Sequence, residues 1–155
     1  METQGELKLQ KITNPLYLGN IAPNILKFVE KVQPAGVTYE TLYSYFANSI
    51  QFGGDRSEFW VAFDDDKPVA FAHWLVMGLP HVGKVCCDYM MSWNRRREPV
   101  EHLLDKFLEF GVNNRSPLYE GYLANESIFR VFRKAMHKKG VKAEKTEVLN
   151  CIGRK

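Results

Sequence analysis

Val85-Cys86-Cys87-Asp88-Tyr89-Met90-Met91-Ser92-Trp93-Asn94-Arg95-Arg96-Arg97-Glu98-Pro99-Val100-Glu101-His102-Leu103-Leu104 is the stretch that decides how the chain is read. Val85 to Met91 is apolar or aromatic apart from Asp88 and has the length of a buried strand. Arg95, Arg96 and Arg97 follow as a cationic turn, and Pro99 suits the first turn of a helix. Val100, Leu103, Leu104, Phe107, Leu108 and Gly111 then recur at helical spacing and form one apolar stripe. Strand, arginine turn and helix N-terminus therefore meet at one place, where backbone amides and guanidinium groups attract phosphate.

Toward the N-terminus, Leu7, Leu9 and Ile12 alternate with polar residues over 6–13 and predict a half-buried edge strand, ended by Asn14-Pro15. Ile21, Ile25, Phe28, Val29 and Val32 predict a first helix with Pro23 near its start. Thr38 is placed to cap a second helix whose inner face is Leu42, Tyr43, Phe46 and Ile50, and Gly53-Gly54 stops it. Two strand-like runs, 58–63 and 69–77, flank Asp64-Asp65-Asp66-Lys67 and read as a hairpin. The three aspartates lack the alternating ligand spacing, central glycine and distal glutamate of a calcium loop, so they are read as a turn.

Toward the C-terminus, 118–124 is a strand candidate and Asn125 an N-cap. Ile128, Phe129, Phe132, Ala135 and Met136 define a helix face that runs to Gly140, and 144–152 is a final strand. The order β, α, α, β, β, β, α, β, α, β predicts one domain over 1–155 of mixed α/β class. We expect a central, partly antiparallel sheet of about six to seven strands with helices on both faces.

Composition narrows the function classes. The chain of 155 residues is 45% hydrophobic and 13% aromatic, enough for one substantial core. No apolar run approaches the roughly 20 residues of a bilayer span, and the opening residues lack the order of a signal peptide, so a cytoplasmic protein without a membrane partner is expected. A net charge of +3 does not by itself argue for nucleic acid, although Arg130, Arg133, Lys134, Lys138 and Lys139 gather on the last helix. Cys86, Cys87 and Cys151 leave one thiol unpaired in any scheme, which fits a reducing compartment. His73, His81, Cys86 and Cys87 show no paired ligand spacing, so no metal is expected; nor does any serine or cysteine show a nucleophile elbow or a matched histidine.

The element order and two local motifs resemble the GNAT superfamily of acyl-CoA-dependent N-acyltransferases over nearly the whole chain. Its pyrophosphate loop has the form Arg/Gln-x-x-Gly-x-Gly/Ala, followed by a Leu-Leu pair. Aligned on Leu103-Leu104, Arg95 matches, while Glu98 and Val100 stand at the two small positions. Glycines there let a backbone approach an anion, and Arg96 and Arg97 are placed to supply by side chain what those positions do not. The resemblance implies acetyl-CoA as cofactor and a primary amine as acceptor, with acyl transfer by direct attack. It further implies backbone contacts to the pantetheine and acyl group from Met90, Met91 and Ser92, contacts to the cofactor from Arg95, Arg96, Arg97 and Val100, and a pantetheine contact from Asn125. Phe132 occupies the place of the family's acidic tyrosine and has no proton to give. Asp88 and Glu120 are the carboxylates nearest the expected cleft and the candidates for a general base. Glu98, Val100 and Phe132 also define an alternative, a GNAT-shaped binding or structural protein that no longer uses acyl-CoA. The last strand, if at a sheet edge, offers a surface for a homodimer.

Overall fold

The computed structural model describes residues 6–32, 36–78, 83–93, 98–121 and 126–144, with side chains in the last segment from Phe129 onward. The arginine turn of Arg95, Arg96 and Arg97, together with Asn125, His81, Cys151 and all of the expected final strand beyond Glu144, lies outside the described residues.

Strand β1 is Leu7–Lys11, β2 Ser57–Asp64, β3 Lys67–Met77, β4 Lys84–Ser92 and β5 Leu118–Gly121. They form one sheet in the order β1-β2-β3-β4-β5, antiparallel through β4 and parallel between β4 and β5. The described residues thus hold five strands rather than six or seven, because the additional strand was expected over 144–152. The acidic hairpin forms between β2 and β3, with Asp65 (φ 46°) and Asp66 (φ 66°) both left-handed, as a two-residue turn matched to strand twist requires.

Helix α1 is Ala22–Val32, α2 Tyr39–Phe52, α3 Glu98–Asn113 and α4 Glu126–Lys138. The Thr38 side chain accepts from the Thr41 amide at 3.2 Å, and Thr41 answers by accepting from the Thr38 amide at 2.9 Å, a reciprocal cap that fixes the start of α2. Between β1 and α1 the chain makes a 3-10 turn over Pro15–Ile21 that the apolar spacing did not reveal. Its start is set by Asn14, whose side chain accepts from the Leu16 amide at 3.0 Å, and it buries Leu18 and Ile21.

Two compact units make up the chain, Met1–Tyr122 and Leu123–Lys155. In the first unit, strand alternation divides the sheet faces. One face carries Phe59, Val61 and Phe71 against Ile25 and Phe28 of α1 and Leu42 and Phe46 of α2. The opposite face carries Trp74, whose ring lies 5.5 Å from Phe107 of α3, and Tyr119, 5.6 Å from the same ring. Glu58 locks the β2–β3 register by accepting both indole N–H groups, from Trp60 at 3.2 Å and Trp74 at 3.1 Å. In the second unit α4 buries Phe132, Ala135 and Met136 and stops before Gly140, whose φ of 78° lets the Val141 amide return to the Met136 carbonyl at 2.9 Å.

Candidate functional site

A bulge in β4 builds the site. His73 pairs with Tyr89 and the next residue, Trp74, pairs with Cys87, so Asp88 is an extra residue with no counterpart on β3. Such a bulge re-aims the inserted side chain. Asp88 consequently turns to the face that carries His73 and α2. The parallel pairing of β4 with β5 runs from Lys84–Leu118 to Cys87–Gly121, so the bulge lies immediately beyond it. Met90, Met91 and Ser92 continue β4 past that point while paired to Ala72, Phe71 and Ala70 of β3.

Asp88 is held on both oxygens. The Tyr45 hydroxyl donates to Oδ2 at 2.6 Å, and His73 Nδ1 lies 2.6 Å from Oδ1. His73 is wholly buried, while the Asp88 side chain keeps 16% of its surface exposed and Tyr45 beside it is 39% exposed, so this end of the network reaches solvent. On the far side of the imidazole, Ser49 Oγ lies 2.7 Å from Nε2 and donates its hydroxyl to Ser57 Oγ at 2.7 Å, while Ser57 donates to the Ser49 carbonyl at 3.3 Å. Tyr45 and Ser49 are one helical turn apart on α2 and so reach the sheet together. Gly53 makes this approach possible, because a Cβ at its position would collide with Ser57 Oγ and the Ser49 carbonyl.

Burial and the Asp88 charge set the protonation of the neighbours. The Tyr45 phenol is pushed far above its ordinary range by burial first, then by its bond to Asp88, so it remains a donor. Tyr89 shifts the same way for the same two reasons, burial leading. Cys86 is pushed up to about 12 by burial, then by Asp88 and Glu120, and burial holds Cys87 well above its usual value. Both thiols are therefore inert at neutral pH.

The structure thus brings Asp88 and the end of β4 together, and Asp88 and Glu120 both act on Cys86. Glu120 is an ion-pair partner of Lys84. Val100 sits half-buried in the first turn of α3, beside the buried Pro99 and the exposed Glu98, which pairs with His102 at 3.6 Å. Trp93, adjoining the arginine turn, packs 5.7 Å from Phe71. Ser49 and His73, a serine–histidine pair that no sequence spacing marks, are 24 residues apart and meet because α2 lies across β3. Among the described residues no helix is long and apolar enough to cross a membrane, and no group of three metal-ligating side chains occurs.

No protein-family model matches the sequence, and no curated protein sequence does either. Solved structures do match. The aminoglycoside N-acetyltransferase AAC(6')-Iy in complex with CoA is similar with a TM-score of 0.69 at 12% identity, covering 98% of each chain. A predicted acetyltransferase with acetyl-CoA from Clostridium acetobutylicum is similar with a TM-score of 0.70 at 13% identity, over 95% of this chain and 96% of that one. An aminoglycoside acetyltransferase from an uncultured soil metagenomic sample, in complex with sisomicin, gives a TM-score of 0.64 at 13% identity, over 96% and 97%. Along nearly its whole length, this chain has the fold of the GNAT acetyltransferases.

Proposed function

We propose that this protein is an N-acyltransferase that moves an acetyl group from acetyl-CoA to a primary amine by direct attack, with Asp88 as the general base. The observation that carries the reading is the position of Asp88. It stands on the β4 bulge, just past the last β4–β5 pair, in a fold shared with acetyltransferases crystallised with CoA or acetyl-CoA. A base must reach the amine and stay oriented. Asp88 meets both conditions, since it is partly exposed and its two oxygens are fixed by Tyr45 and His73. Each carboxylate oxygen retains a second lone pair for the amine proton.

Acetyl-CoA supplies the activated acyl group. On this chain the backbone of Met90, Met91 and Ser92 would align the acyl and pantetheine portions. Arg95, Arg96, Arg97 and Val100 would meet the rest of the cofactor at the amide end of α3, where a sixteen-residue helix favours an anion, and Asn125 would meet the pantetheine. Glu120, the other candidate carboxylate, is committed to its ion pair with Lys84. Phe132 donates no proton, so the leaving thiolate takes one from water.

A thermal shift with acetyl-CoA, CoA and desulfo-CoA, run beside Arg95→Ala, tests the cofactor. Ligand at about 100 times its Kd adds roughly 2.7 kcal/mol, a rise of about 5 to 10 °C for this size. Turnover against a panel of amines, followed by release of free thiol, then tests catalysis. Asp88→Asn is expected to lower kcat by roughly 10²- to 10⁴-fold. No thermal shift with any of the three ligands would favour the alternative, a GNAT-shaped protein that does not use acyl-CoA.

A further inference from the structure

We infer that Ser49, His73 and Asp88 form a second reactive centre, in which Ser49 is a nucleophile toward small, uncharged acyl esters. The inference is independent of acetyl-CoA binding. Three elements supply the three groups: α2 gives Ser49, β3 gives His73 and β4 gives Asp88. Ser49 Oγ is 2.7 Å from Nε2, and Nδ1 is 2.6 Å from the carboxylate. A hydroxyl on one imidazole nitrogen and an oriented carboxylate on the other is the arrangement that makes a serine nucleophilic. Tyr45 adds a third hold, on the free oxygen of the carboxylate, at 2.6 Å. The imidazole cannot turn, because it is wholly buried and its ring is packed 5.4 Å from Phe46 and 5.2 Å from Tyr45.

Ser49 also has somewhere for a ligand to go. With Ser57 it lines a cavity of about 250 Å³ whose apolar wall is Ile12, Ile50 and Phe59. That is slightly below the usual lower bound for drug-sized ligands, and it suits a short acyl group. Lys11 at the rim is neutralised by Glu58 at 3.3 Å and Asp55 also lines the cavity, so no uncompensated cation is there to hold an anionic substrate.

The chemistry balances without a further reactant. The Ser49 hydroxyl turns from Ser57 Oγ to His73 Nε2, Oγ forms a bond to the ester carbonyl carbon while its proton passes to Nε2, and Asp88 stabilises the imidazolium through Nδ1–H. As the ester C–O bond breaks, the leaving alcohol takes the proton from Nε2. Water repeats the sequence on the acyl-serine, so that ester and water give acid and alcohol.

The test is covalent labelling of the intact protein with a fluorophosphonate, the modified peptide being located by mass spectrometry. We expect one adduct, on Ser49, lost in Ser49→Ala and formed at least tenfold more slowly in Asp88→Asn, where an amide no longer favours the Nδ1–H tautomer. Hydrolysis of p-nitrophenyl acetate should fall in parallel in both variants. Absence of an adduct at Ser49 in the native protein, under conditions that label a serine hydrolase, would overturn the inference. So would labelling of Ser57 with Ser49 untouched. Neither result depends on a variant folding, and neither bears on acetyl-CoA binding.

Discussion

The ring of Tyr119 on β5 lies directly against the α-carbon of Gly111 on α3, so close that a Cβ on Gly111 would overlap Cε1, Cζ and the hydroxyl. The same hydroxyl donates to the Leu108 carbonyl at 3.1 Å, one turn earlier on the helix. A glycine deep in an apolar stripe is thereby explained by packing rather than by backbone conformation.

Gly111→Ala should therefore destabilise the protein by about 1–3 kcal/mol through overpacking, against the roughly 1 kcal/mol that helix propensity alone would return. Thermal unfolding measures the difference. A stability equal to or above wild type would mean that Tyr119 can move away without cost. Tyr119→Leu in the Gly111→Ala background should recover part of the loss, since it removes the atoms that collide.

The Asp65-Asp66 turn gives a prediction of opposite sign. Asp66 adopts a φ of 66°, which costs an L-residue roughly 1–2 kcal/mol and glycine almost nothing. After the entropy that glycine adds to the unfolded chain, Asp66→Gly should stabilise by about 0.5 kcal/mol, whereas Asp66→Ala should destabilise. Urea unfolding of the pair is decisive through the order of the two midpoints.

Alkaline pH should weaken the fold through the buried thiols. Cys86 has an ordinary value of 9.0 when unfolded and about 12 when folded, and Cys87 is displaced in the same direction. The folded state therefore binds protons more tightly than the unfolded state between these values. Stability from this source is complete below pH 9 and is lost as pH rises toward 12. Unfolding midpoints should fall across that window, and replacing Cys86 by Ala should flatten the fall. Peptide-resolved alkylation at pH 8 should modify Cys86 and Cys87 only as fast as the protein opens.

Much of the fold was legible because it is written in local periodicity. The apolar spacing of α1, α2, α3 and α4, the Thr38 cap and the glycine stops are interactions among residues within a few positions of one another. The hairpin was visible for the same reason, as polar residues between two strand-like runs. The 3-10 turn at Pro15–Ile21 was not visible, because its two buried side chains, Leu18 and Ile21, follow a three-residue period too short to register as a helix. The sixth expected strand, over 144–152, belongs to residues that the structure does not describe beyond Glu144.

The candidate site divides along the same line. By itself the sequence determined that Asp88 and Met90–Ser92 share one strand leading into a helix. Only the tertiary structure decided which groups face that carboxylate. A one-residue bulge on β4 turns Asp88 toward α2, and the packing of α2 across β3 brings Tyr45 and His73 to the two oxygens of that carboxylate and Ser49 to the far nitrogen of His73. No local pattern encodes that meeting, since a bulge reverses the facing implied by strand alternation and the contacts span 24 and 43 residues of sequence.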